Sequence, residues 1–190
     1  MGTGTTENGS TFVAAERYIG ERVTAALERI DPKAIYRAVT ILTSAPQIFV
    51  YGAGRSGIIG RAFAMRLVQA GLRAYVIGES VTPIVRHGDA VFILSAQGES
   101  YSSIQTANIV RREGAKLVVL TGRAGSKLAH AASLLLHVDF DEDLDRPRFA
   151  PLGTLFESAS LRLTDGLVAE LIRSRGETEE SMRRRHAIMV

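Results

Sequence analysis

Ile48-Phe49-Val50-Tyr51 runs directly into Gly52-Ala53-Gly54-Arg55-Ser56-Gly57, and a helical pattern follows to about Ala70. A near-continuous apolar run is what a parallel strand covered on both faces requires. Glycines just after it let the backbone take positive φ and approach a ligand without a Cβ in the way. A helix starting there leaves several N–H groups unpaired, and their aligned dipoles favour an anion. Ser56 adds a hydroxyl donor, so a phosphate is the natural guest. Two other readings stay open. Gly52-x-Gly54-x-x-Gly57, with Glu79 closing the next strand, fits a dinucleotide fingerprint, and the turn can also connect strand to helix with no ligand at all.

The rest of the chain repeats this strand–helix rhythm. Strands are read at 47–51, 74–78, 90–95, 116–120 and 134–138, with helices at about 57–70, 101–113 and 126–132. Alternation at this spacing implies right-handed crossovers between parallel strands: an α/β fold, a doubly wound five-stranded parallel sheet flanked by helices. Ligands in such sheets sit beyond the carboxyl ends of the strands, which makes loops 52–57, 79–88, 95–100 and 121–126 the functional edge. Two amphipathic helices precede the sheet, from Phe12 to Ile30 and from Pro32 to about Ser44, the second capped by Asp31. They offer more apolar surface than one sheet face needs, for another subunit or for an open face. Met1 to Thr11 is read as a flexible tail, and 12–190 as a single domain. A long helix is expected from Thr154 to about Arg173, ended by Gly176, with a short polar helix beyond it to His186. Asp139 to Ala150 is read as a solvated loop, because its acidic residues lack the spacing of a calcium loop.

With 190 residues, 46% of them hydrophobic, one sizeable core is affordable. The absence of cysteine suits a reducing cytosol, and no apolar run approaches a membrane span. Net charge is only +3 and there is no tryptophan. A nucleic-acid binder shows a basic stripe with aromatics or a recognition helix, and neither is visible. The expectation is a soluble cytoplasmic protein that contacts neither nucleic acid nor membrane.

Ser95-Ala96-Gln97-Gly98-Glu99-Ser100 is a second hydroxyl-rich strand–helix turn on the same edge. Two such turns aimed at one ligand suit a compact phosphate better than an extended dinucleotide, and hydride transfer would need a substrate domain for which there is no room. Here the chain resembles the SIS (sugar isomerase) domain family, and within it the 6-phospho-3-hexuloisomerases, from about Ile48 to His186. The resemblance rests on Gly52 to Gly57, Thr82-Pro83-Ile84 with Gly88-Asp89, Ser95 to Ser100, Pro151-Leu-Gly-Thr-Leu-Phe-Glu157 and Arg185-His186. It implies a homotetramer, no metal, no organic cofactor, and isomerisation of D-arabino-hex-3-ulose 6-phosphate to fructose 6-phosphate in formaldehyde fixation or pentose supply. The chain departs from the family at Ala96, Gln97 and Ser100 of the second turn and at its end, Ala187-Ile-Met-Val190. Sibling isomerases of arabinose 5-phosphate or phosphoheptose, and a non-catalytic sugar-phosphate-binding module, are the alternatives within the family.

Moving a carbonyl between adjacent carbons takes a base for the carbon-bound proton and groups to shuttle the oxygen protons. By its spacing alone, Thr154-x-x-Glu157 has the form of a capping box; the resemblance makes Glu157 the general base. Glu99 is a second acid–base candidate or simply an acid near a helix start. The resemblance assigns ring opening to His186, in its own or a neighbour's site. Substrate and phosphate are expected on Gly54, Arg55, Ser56, Ser95, Gln97, Ser100 and Thr82.

Overall fold

In the computed structural model, which describes residues 8–187, the five apolar runs are strands β1 (Ile48–Gly52), β2 (Ala74–Val76), β3 (Ala90–Ser95), β4 (Lys116–Thr121) and β5 (Leu134–His137). They pair in the order β2-β1-β3-β4-β5, parallel throughout. The doubly wound expectation holds. The strand order reverses between β1 and β3, so the crevice where such sheets take ligands opens between the two turns singled out above.

Side chains alternate across the sheet, and both faces are apolar. Ile48, Val50, Phe92, Leu94, Val118 and Leu120 belong to one core cluster; Phe49, Val91, Ile93, Leu117 and Val119 belong to the other. Fully buried alternation on both sides pins the register, because a one-residue slip would exchange every packed partner. The first face is covered by α1 (Asn8–Glu28), α2 (Pro32–Ser44), α3 (Arg55–Gln69) and α7 (Thr154–Arg175), through residues such as Val23, Leu42, Phe63, Leu67, Leu163 and Leu167. The second is covered by α4 (Tyr101–Arg112) and α5 (Lys127–Ala131), through Ala107, Val110 and Leu128. The leading helices therefore cover the open flank of this chain. Asp31 caps α2 by accepting from the Lys33 N–H at 2.9 Å, with Pro32 in the first turn.

Several expectations are corrected. Residues 8–11 continue α1 and are not tail, while Met1 to Glu7 lie outside the described residues. Strand β2 stops at Val76, because Gly78 turns the chain at φ 104°. The acidic stretch is exposed over 141–145, as a solvated loop should be, but it also holds a short helix, α6 (Arg146–Phe149), and is tied to α1 by ion pairs. Arg22 pairs with Asp143, and Arg29 with Asp141 at 3.2 Å. No capping box forms at α7: Gly153 is the N-cap, and the Thr154 hydroxyl donates to the Pro151 carbonyl at 2.6 Å. Gly176 ends α7 in the left-handed region, as expected, and α8 (Glu179–Arg184) follows. No described helix is long and apolar enough to cross a membrane.

Candidate functional site

The turn after β1 is built on two glycines that touch. A Cβ on Gly52 would lie 2.8 Å from the Gly57 nitrogen, and one on Gly57 would fall on the Gly52 carbonyl oxygen. Gly54 is the N-cap of α3 at φ 57°, a conformation that disfavours L side chains, and it supplies no side-chain cap. The first amides of α3, at Arg55 and Ser56, therefore have no side-chain cap. Next to this turn, the one after β3 is laced to itself. The buried Ser95 hydroxyl accepts from the Gly98 N–H at 3.1 Å, and Ser100 caps α4 by accepting from the Ser103 N–H at 3.3 Å. The start of α7 reaches the same edge. Arg55 Nε and Nη2 lie 2.6 and 2.5 Å from Glu157 Oε2, joining the β1 turn to α7. The Glu157 side chain is only 13% exposed and that of Arg55 is 75%, so the carboxylate is sheltered and the guanidinium is the member with room to swing.

The other expected residues divide. Gln97 is exposed on the second turn, facing the α7 start. Glu99 does not serve the helix that follows it. It accepts from the Lys127 N–H at 3.0 Å, at the start of α5, and this bond is the main cause of a carboxyl held below its usual range. Thr82 lies on the β2 side of β1, its hydroxyl donating to the Val76 carbonyl at 2.6 Å, beside a groove lined by Arg61 and Glu79. Glu79 pairs with Arg61 at 2.6 Å. His186 is not brought to this edge by its own chain. It sits with Arg66, Gln69 and Met182 at the far end of α3, and a helix of 15 residues is about 22 Å long. Arg185 fixes that tail, donating to the Gln69 carbonyl at 3.0 Å and to Glu177 at 2.9 Å. Among the described residues, no group of three or more His, Cys, Asp or Glu could hold a metal.

This geometry has known relatives. The SIS domain family model matches residues 41–145. The chain belongs to the SIS domain family. It is 34% identical over 153 residues to the 3-hexulose-6-phosphate isomerase of Methylomonas aminofaciens, covering 80% of this chain and 84% of that one. It is also 34% identical over 150 residues to the enzyme of the same name from Bacillus subtilis, covering 77% and 81%. A crystal structure from Methanococcus jannaschii, for which a function of 3-hexulose-6-phosphate isomerase was inferred, shares the fold. Its TM-score is 0.82 at 24% identity, over 90% of this chain and 97% of that one.

Beside the crevice of this SIS domain, a cavity of about 620 Å³ opens at the ends of β3, β4 and β5. Gln97, Arg123, Phe140, Arg146, Leu152 and Phe156 are among its walls. Sequence reasoning missed both arginines. Arg123 had a signal: Thr121-Gly-Arg-Ala-Gly-Ser126 is a third strand–glycine–hydroxyl turn, with Ser126 capping α5. Arg146 had none, since it lies in the irregular stretch, and its donation to the Leu152 carbonyl at 3.0 Å is a tertiary fact. Leu152 is the one non-glycine residue with positive φ, 56°, among the described residues. A left-handed leucine costs about 1–2 kcal/mol, so the surrounding structure must hold it there.

Proposed function

We propose that this SIS protein is a 6-phospho-3-hexuloisomerase, working as a cytoplasmic homotetramer on D-arabino-hex-3-ulose 6-phosphate. The carrying observation is the Arg55–Glu157 pair, which unites the open turn after β1 with the start of α7 at the point where the strand order reverses. The phosphate lies between the two turns, held by the Ser56 hydroxyl and by the open amides around Gly54, against the frame that Ser95 and Ser100 brace, with Gln97 bordering the sugar.

The sugar chain then runs toward Glu157. The Glu157 carboxylate takes the C2 proton while the O2 proton passes toward O3, giving a 2,3-enediol(ate). Returning the carbon-bound proton to C3 leaves the carbonyl at C2, as in fructose 6-phosphate. Arg55 turns from the carboxylate to the developing oxyanion, which is the electrostatic help such a step needs. Glu99 serves the oxygen protons. The 3-ulose is open-chain, because its five-membered ring would need the phosphorylated O6. In the reverse direction, where fructose 6-phosphate must first open its C2–O5 ring, that step falls to His186 of a neighbouring copy, because 186 lies at the far end of α3 in its own chain.

The test is turnover on a panel of 3-hexulose 6-phosphate, arabinose 5-phosphate and sedoheptulose 7-phosphate, with Glu157→Gln alongside the natural protein. Turnover is expected on the first sugar. In the variant it should fall roughly a hundred- to ten-thousandfold, the usual contribution of a positioned base, with melting temperature retained. Near-native exchange of substrate hydrogen with deuterated water in folded Glu157→Gln would remove Glu157 from the base role.

A further inference from the structure

We infer that Arg146 is a positioning residue for Glu157, acting through the strained backbone at Leu152; this rests on the reading of Glu157 as the base. Glu157 is held at its root by one turn of chain. Its N–H donates to the Gly153 carbonyl at 2.9 Å, and a Cβ on Gly153 would lie 2.7 Å from its Oε1, so the carboxylate leans over that glycine. The turn is Pro151-Leu152-Gly153, and α7 has no side-chain cap to fix where it starts. Its conformation depends on Leu152 staying at φ 56°, although that residue is 90% exposed. Thr154 holds the Pro151 carbonyl at the edge of this turn, and the side chain that reaches the strained residue itself is Arg146, whose Nη2 donates to the Leu152 carbonyl at 3.0 Å.

Arg146 is itself anchored. Its N–H donates to Asp143 Oδ1 at 2.9 Å, and Asp143 is clasped by Arg22 and takes the Tyr18 hydroxyl at 3.0 Å. A continuous line of contacts therefore runs from α1 through the acidic stretch to the strained turn and the base. Without the guanidinium, the leucine can relax to ordinary negative φ, and Glu157 swings with the helix start. A misplacement of that size costs catalysis while leaving the phosphate turns untouched.

The experiment compares Arg146→Ala in two backgrounds, natural Leu152 and Leu152→Gly, because glycine takes the same φ without the steric cost. Turnover of 3-hexulose 6-phosphate and amide exchange of segment 151–158 are both followed. With Leu152, Arg146→Ala is expected to lower kcat about tenfold at little-changed KM and to accelerate exchange at the Glu157 amide. In the Leu152→Gly background the same change should cost less than about twofold, and exchange should stay slow. Equal kcat losses in the two backgrounds would overturn the inference, as would a loss confined to KM, which would make Arg146 a substrate ligand. Exchange is read without substrate, so it decides the role of Arg146 even if no sugar on the panel turns over. Unchanged exchange in Arg146→Ala overturns it on that ground alone.

Discussion

The turns after β1 and β3 look alike as sequence, each rich in glycine and hydroxyls on the same sheet edge, yet they spend their polar groups differently. In the β3 turn the hydroxyls are already engaged: Ser95 holds the Gly98 amide, Ser100 caps α4, and the neighbouring Glu99 holds the start of α5. In the β1 turn the N-cap is a glycine, the Ser56 hydroxyl carries none of these internal bonds, and the arginine between them reaches across to α7. One turn is a rigid frame and the other an open hand. A ligand site needs both, since donors that are free in the absence of ligand are useful only when something beside them does not move.

The sharpest way to break this contrast is to attack the hinge of the open turn. Gly57→Ala puts a Cβ onto the Gly52 carbonyl oxygen, a backbone atom that cannot swing aside. A loss of roughly 3 kcal/mol or more in unfolding free energy is expected. Denaturant titration checks this, and a small loss would mean the turn is softer than drawn. A paired substitution comes next. Ser95→Ala removes the oxygen on which a buried turn amide depends and should destabilise the fold by about 1 kcal/mol. Ser56→Ala should leave the melting temperature nearly unchanged and raise the KM for the sugar phosphate. If instead both serines move stability and neither moves KM, the division of labour is wrong.

The smallest effect is one of pH. The Lys127 amide, followed by burial and the Lys127 ammonium, dominates the environment of Glu99, and the net result holds its carboxyl below the usual range. A depressed folded-state pKa means this contact helps the fold above the unfolded value, about 4.3, and is lost as pH falls through the lower folded value. The chemical shift of the Lys127 amide should therefore titrate below the usual carboxylate midpoint, and that titration should vanish in Glu99→Gln. An ordinary midpoint would remove Glu99 from the frame.

Most of the sheet was legible because both faces are buried, so each strand announces itself as a short apolar block between turn residues. Boundaries failed where a single backbone angle decided them, as at Gly78, which cut β2 short. The site was half legible. Turns that close on themselves, such as 52–57 and 95–100, are local and show in the residue types. Glu157 was legible only as either cap or base, and its partner Arg55, 102 positions away, draws the carboxylate off the cap. Glu99 was legible as an acid–base candidate or as an acid at the start of the helix beside it, whereas the fold delivers it to the start of α5. Arg146 and the strained Leu152 left no trace in composition or spacing, since a left-handed leucine is a product of what surrounds it.

The all-parallel ladder sets how this protein comes into being. No neighbouring strands can be joined by a hairpin, so every pair closes only after a crossover has been laid down. The β1–β3 pair is stricter still, because the whole of α3, β2 and the segment to Asp89 must be threaded between its two halves. Chains of this kind have few short-range contacts from which a sheet can nucleate, and their assembly is correspondingly slow. The crevice has no early, half-built form: a nascent chain emerging as far as Gly57 carries the open hand but nothing for it to close against. During refolding, affinity for a phosphorylated sugar should appear together with the last cooperative phase and not before it.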